Sequence, residues 1–177
     1  MKKFFSLATM LIIASVAMVS CSSSSDDTSN YIKFEDKSFR LYDGYQYKFS
    51  DALADTLGTP YVVTLLGEGV SVDNNAGTLT GIGSLICFYM YSENSSEVKN
   101  GEYTIDIFNS ESQYTADSCY VYYNYDFAAD TGTVYPIKAG LFIVENLGRI
   151  MRYNIDIVTE DLVEFKGEYE GPVTNLN

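Results

Sequence analysis

Carboxylates are the only abundant groups in this chain able to move protons near neutral pH: there are 24 Asp and Glu residues and no histidine. Without imidazole, Ser-His-Asp and Cys-His nucleophilic mechanisms are excluded, and the commonest ligand of zinc and iron is missing. Asp130-Thr131-Gly132 has the composition of one half of a water-activating aspartate dyad, in which two carboxylates share a proton. The chain carries a single such triplet, preceded by Ala128-Ala129, and the backbone preferences of Asp and Gly read it as a hairpin turn. Asp73-Asn74-Asn75-Ala76-Gly77 sets oxygen ligands before a glycine as a calcium loop does, yet the distal bidentate Glu is missing and Leu79 and Ile82 interrupt the run. It too reads as a turn. No catalytic residue, cofactor or metal site is assigned.

Cys21, Cys87 and Cys119 are the three thiols. Cys87 and Cys119 lie in apolar segments and allow two readings. A disulfide in an oxidising compartment would close a roughly 33-residue loop and stabilise the fold by about 3 to 4 kcal/mol. Alternatively, both are small buried hydrophobes. The 16 tyrosines gather at Tyr89 and Tyr91 beside Phe88, and at Tyr120, Tyr122, Tyr123 and Tyr125. Alternation along a strand places Tyr120 and Tyr122 on one face and Tyr123 and Tyr125 on the other. One of those faces belongs to the core; the other is the candidate aromatic strip for a ligand, stacking on sugar rings or peptide.

The first residues have a different logic. Lys2 and Lys3, the apolar run Phe4 to Val19, and Ser20-Cys21-Ser22 describe an export signal, too short and poorly flanked for a stop-transfer helix. Met18-Val19-Ser20-Cys21 resembles the lipobox of bacterial lipoproteins, with Met18 where Leu is usual. The resemblance implies cleavage before Cys21 and three acyl chains on it, each buried methylene contributing about 0.8 kcal/mol to membrane anchorage. Ser22 to Asn30 is a polar, low-complexity tether. With Ser22, Asp26 and Asp27 it resembles the acidic export signal of Bacteroidetes lipoproteins, which implies display on the outer face of the outer membrane. Asp55-Thr56-Leu57 is similar to the O-glycosylation acceptor triplet of the same group, making Thr56 a candidate modified residue. Loss of residues 1–20 removes Lys2 and Lys3 and leaves nine basic residues against 24 acidic ones, a net charge of −15. Such a surface repels nucleic acid and anionic lipid heads.

Residues 31–177 have single-domain length and no internal linker. From Arg149 to Val158, Met151, Tyr153, Ile155 and Ile157 alternate with Arg152, Asn154 and Asp156, the pattern of a half-buried strand. Val163, Phe165 and Tyr169 face inward against Glu164, Lys166, Glu168 and Glu170. With turns at Asn146-Leu147-Gly148 and Glu160-Asp161-Leu162, residues 139–171 read as a three-stranded meander. Tyr61–Leu66, Leu85–Tyr91, Glu102–Phe108 and Ser118–Tyr125 are further strands. Phe39–Phe49 reads as a hairpin around Asp43-Gly44, and residues 51–57 have some helical character. Roughly eight or nine short antiparallel strands predict an all-β domain: a β-sandwich, with a closed, lipocalin-like barrel as the alternative that alternation alone cannot separate.

The layout Tyr61-Val62-Val63-Thr64-Leu65-Leu66, Gly77-Thr78-Leu79-Thr80-Gly81-Ile82-Gly83, Asn100-Gly101-Glu102-Tyr103 and Lys166-Gly167-Glu168-Tyr169-Glu170-Gly171 resembles small lipoproteins of gut Bacteroidetes, and transfers no catalytic residue. The expected function is that of an outer-membrane lipoprotein facing the exterior, with a non-catalytic binding or accessory role toward a glycan, a peptide or a protein partner. The alternative is a carboxylate-based hydrolase such as a glycosidase, which would set two carboxylates in one tyrosine-lined cleft.

Overall fold

The structure, a computed structural model, describes residues 29–49, 57–73, 78–93, 97–106 and 111–176. Cys21, Ser22, Asp26, Asp27 and Thr56, and residues 74–77 of the calcium-like segment, lie outside the described residues, as does most of the segment 51–57. Eleven strands make up the fold: β1 (Tyr31–Phe34), β2 (Lys37–Lys48), β3 (Thr59–Gly67), β4 (Val70–Asp73), β5 (Thr78–Ser92), β6 (Gly101–Ile105), β7 (Thr115–Asp126), β8 (Thr131–Asn146), β9 (Met151–Thr159), β10 (Glu164–Gly171) and β11 (Val173–Leu176). No helix occurs among the described residues.

The meander is present as β8–β9–β10. In β9 Met151, Tyr153, Ile155 and Ile157 are buried while Arg152, Asn154 and Asp156 face out. Leu162 and Gly148, both at positive φ, sit in the two turns. Pairing runs around the molecule in the order β1-β10-β9-β8-β7-β5-β3-β2 and returns from β2 to β1. The sheet therefore closes on itself, and the two walls that a sandwich would leave separate are joined at both edges. The pairs are antiparallel except for two short parallel ones: β6, wedged between β7 and β8, pairs parallel with β7, and β11 runs parallel to β2.

Aromatic rings fill the interior. Phe88 of β5 stacks on Phe142 of β8 with centroids 4.1 Å apart, and Phe34 of β1 stacks on Phe165 of β10 at 4.6 Å. Tyr123 of β7 reaches Phe34 edge-on across the barrel at 5.0 Å, and Tyr153 of β9 approaches Phe88 at 5.9 Å. Where a lipocalin-like barrel would hold a ligand, this one holds its own side chains. The buried Tyr103 hydroxyl donates to the Lys99 carbonyl at 2.8 Å and lies 3.0 Å from Ser92 Oγ, which also accepts the Lys99 amide. That loop satisfies polar groups that burial would otherwise penalise.

Two expectations change. Phe39–Phe49 is not a hairpin: Phe39–Lys48 belongs to the continuous strand β2, with a register irregularity between Leu41 and Asp43, and Phe49 follows it. Gly44 serves close approach instead of a turn: a Cβ there would lie 2.8 Å from Val173 Cγ2 and 3.2 Å from the Pro172 carbonyl. The strand expected at 102–108 is described as Gly101–Ile105, with residues 107–110 outside the described set.

Because Phe88 is wholly buried and touches rings on two other strands, Phe88→Ala is expected to cost about 3 to 5 kcal/mol. Chemical denaturation checks this; a loss below about 1 kcal/mol would mean that the interior is not packed as described.

Candidate functional site

The outside of the barrel is divided in two. On β8, β9 and β10, Arg152 holds Glu145 at 2.8 Å and Glu170 at 2.6 Å, and Lys166 reaches Glu164 at 3.2 Å and Asp156 at 3.5 Å. The other half, over β2, β3, β5, β7 and the start of β8, follows from residues that alternate with the core. Ile86, Phe88 and Met90 point in, so Leu85, Cys87, Tyr89 and Tyr91 point out.

Cross-strand register assembles these residues into rows. Pro60 pairs with Tyr91; Tyr47 with Val62, and Val62 with Tyr89; Tyr45 with Thr64, Thr64 with Cys87, Cys87 with Tyr120 and Tyr120 with Pro136. Asp43, Leu66, Leu85, Tyr122 and Val134 form the last row, in which Leu66 and Leu85 are themselves covered. These rows contain no lysine, arginine or glutamate. Their carboxylates are Asp43, paired with Leu66, and Asp117, which continues the Tyr89 row and accepts from the Tyr91 hydroxyl at 3.3 Å; Asp130 accepts from that of Tyr125 at 2.5 Å. Tyr47 is 44 % exposed and Tyr120 and Val134 are 39 % exposed.

The tyrosine strip differs from the expected parity. Tyr120 and Tyr122 do share the outer face, but Tyr123 and Tyr125 part company. Asn124 takes a left-handed backbone (φ +48°) and the register slips there against both β5 and β8. The extra residue of such a bulge reverses alternation. Tyr123 enters the core against Phe34, whereas Tyr125 rejoins Tyr122 outside at 5.1 Å, with Phe127 5.0 Å from Tyr125. Strict period-2 reading gave no warning of the bulge; Asn, one of the residues that tolerates this backbone, was the available signal.

Cys87 and Cys119 are free thiols. Their strands are neighbours, yet Cys119 belongs to the core while Cys87, between inward Ile86 and Phe88, faces out beside the Thr64 hydroxyl at 3.6 Å. The disulfide reading therefore gives way: Cys119 is a small buried hydrophobe, and Cys87 is a half-buried thiol on the outer face. Burial raises both thiols above the ordinary range, Cys119 strongly; the Thr64 hydrogen bond opposes the effect at Cys87. They are protonated and unreactive at neutral pH.

Asp130 closes the β7–β8 turn with a left-handed backbone (φ +55°), and Thr131 and Gly132 begin β8. Two clefts lie apart from the wall. One, of about 490 Å³, opens where β2 leaves β3 beyond the Leu41–Gly67 pair; Arg40 lies there over the rings of Tyr31 (5.7 Å) and Tyr42 (5.2 Å). The other, of about 420 Å³, brings Glu93 and Glu97 beside Tyr114, which donates to Glu93 at 3.3 Å; Glu97 accepts from Asn146 at 3.3 Å and pairs with Lys99 at 3.7 Å. Among the described residues no group of three or more His, Cys, Asp or Glu side chains is arranged to hold a metal.

Comparison with protein-family models, curated proteins and solved structures finds no match to this chain.

The phenols report on burial. Burial, reinforced by Asp117, lifts Tyr91 to about 12, and burial lifts Tyr103 to about 12. The unfolded phenol titrates near about 10, so from about pH 10 to 12 the folded state binds more protons and stability must fall as pH rises. Below that window these two groups contribute no slope. Denaturant midpoints measured across the window should decline, with phenolate absorbance of the native domain lagging that of the unfolded chain; a flat midpoint would contradict the burial of these hydroxyls.

Proposed function

We propose that this protein is an outer-membrane lipoprotein, acylated at Cys21 and displayed on the cell exterior, whose barrel has a non-catalytic binding or accessory role through its tyrosine-bearing wall. The single observation that supports this reading is the wall itself: a charge-poor, tyrosine-rich face spanning five strands on a molecule of net charge −13. Exposed tyrosines such as Tyr47 and Tyr120 in a face without lysine, arginine or glutamate match the aromatic enrichment and charge depletion of surfaces that meet a partner. A glycan, a peptide and a protein partner all fall within that class.

The anchor suits such a role. Asn30 fixes the chain where the tether meets the barrel: its carbonyl accepts the Leu41 amide at 2.7 Å and its Oδ1 accepts the Glu170 amide at 2.5 Å. Residues 22–29, when extended, span on the order of 30 Å, enough to hold the wall clear of lipid headgroups. The barrel is itself unlike a membrane-spanning one, because its interior is apolar and half its exterior carries charge.

Among the described residues, the cleft holding Glu93 and Glu97 beside Tyr114 offers the hydrolase alternative a location. Release of reducing ends from a polysaccharide, abolished by Glu93→Gln, would favour that reading over the binding role.

Protease treatment of intact cells is expected to remove the domain while periplasmic markers persist, and Cys21→Ala is expected to release the protein from the membrane fraction. Survival of the domain until the outer membrane is broken would place it in the periplasm and contradict surface display.

A further inference from the structure

We infer that the tyrosine wall takes a neutral, extended polysaccharide, laid across β2, β3, β5 and β7. This inference rests on the binding role proposed above and narrows its ligand.

The chemistry of the wall selects the class. Tyr47 and Tyr120 are exposed and Tyr45, Tyr89 and Tyr122 are half-buried beside them, aromatic bodies with a hydroxyl at the tip that are able to pack on the C–H face of a pyranose and bond its hydroxyls. Strands stand about 4.8 Å apart, close to the advance of one sugar ring along an extended chain. Tyr47, Val62 and Tyr89 occupy successive strands in one row, as do Tyr45, Thr64, Cys87 and Tyr120 in the next.

Charge excludes the competitors. A polyanion finds no lysine or arginine in these rows and meets a molecule of net charge −13. A cationic partner would find its counter-charges on the opposite half, around Glu145, Glu168 and Glu170. A second copy brings the same negative charge. An extended peptide binding by strand addition needs an open edge, and the wall strands β2, β3, β5 and β7 are each paired on both sides, the open edges being those of β4 and β11 at its borders.

Shape restricts the ligand further. The wall is the outside of a closed sheet and has no end stop, whereas the clefts around Arg40 and around Glu93 lie elsewhere. An internal run of sugar units therefore fits, and a single sugar makes too few contacts.

The test is affinity electrophoresis of the full mature chain, made soluble by Cys21→Ala, through gels containing galactomannan, arabinoxylan or mixed-linkage β-glucan, with polygalacturonate as the anionic probe. Retardation by at least one neutral polymer is expected, insensitive to salt and competed by long oligosaccharides but not by monosaccharides. Tyr47→Ala and Tyr120→Ala should each weaken it by up to about tenfold, and Tyr→Phe at the same positions should restore most of it. Unchanged melting temperatures show that the variants fold. Failure of every neutral polymer, retardation by polygalacturonate alone, or indifference to both alanine variants overturns the inference. Binding of a peptide array or of phosphatidylcholine vesicles, lost in the same variants, would overturn the polysaccharide while leaving the wall a binding face.

Discussion

Strand β1 is only four residues long, yet it hydrogen-bonds to β2 on one side and β10 on the other, and the closure of the barrel depends on it. Closure satisfies backbone groups that two sheet edges would otherwise leave open. It also fixes the inner volume, into which Ile32 and Phe34 of β1 project and which Phe88, Phe142, Tyr153, Phe165 and Tyr169 complete. The close pairing is reflected at Gly167, where a Cβ would lie 1.9 Å from the Tyr31 carbonyl. A larger residue at that position would hold β10 away from β1.

A filled interior moves function to the outside. In a barrel with an empty centre, aromatic residues lining the cavity would be the natural ligand contacts. Here the inward rings hold one another, and the outward ones divide from the charged strands along the barrel circumference. The same alternation that builds the core thus builds the wall, because every strand contributing a buried Val, Leu or Phe also sets its neighbours outside. Charge is concentrated where Arg152 and Lys166 bind several carboxylates, and it is sparse where Tyr47 and Tyr120 are exposed.

Much of the fold was legible wherever one face is wet and the other dry. Tyr153, Ile155 and Ile157 against Asn154 and Asp156 identified a strand without ambiguity, and the turn residues around Gly148 and Leu162 bounded it. Legibility ended where a residue served distant chain. Gly44 looks like a turn residue beside Asp43, but its small size accommodates Val173 and Pro172, more than a hundred positions away. Asn124 shifts the parity of the tyrosine run through one backbone angle. The candidate site was visible only as separate clusters at Tyr89–Tyr91 and Tyr120–Tyr125. Their union with Tyr45 and Tyr47 required the β2-β3-β5-β7 strand order, which alternation does not encode.

The inner aromatics make the fold, while the exposed wall tyrosines are surplus to it. Equilibrium denaturation of a Tyr47→Ala, Tyr120→Ala double variant tests this most directly. The account predicts a stability within about 1 kcal/mol of the parent, the range of exposed cross-strand pairs. A loss of about 3 kcal/mol or more, the scale of a core aromatic, would make the wall a packing element and contradict its reading as a surface kept for a ligand.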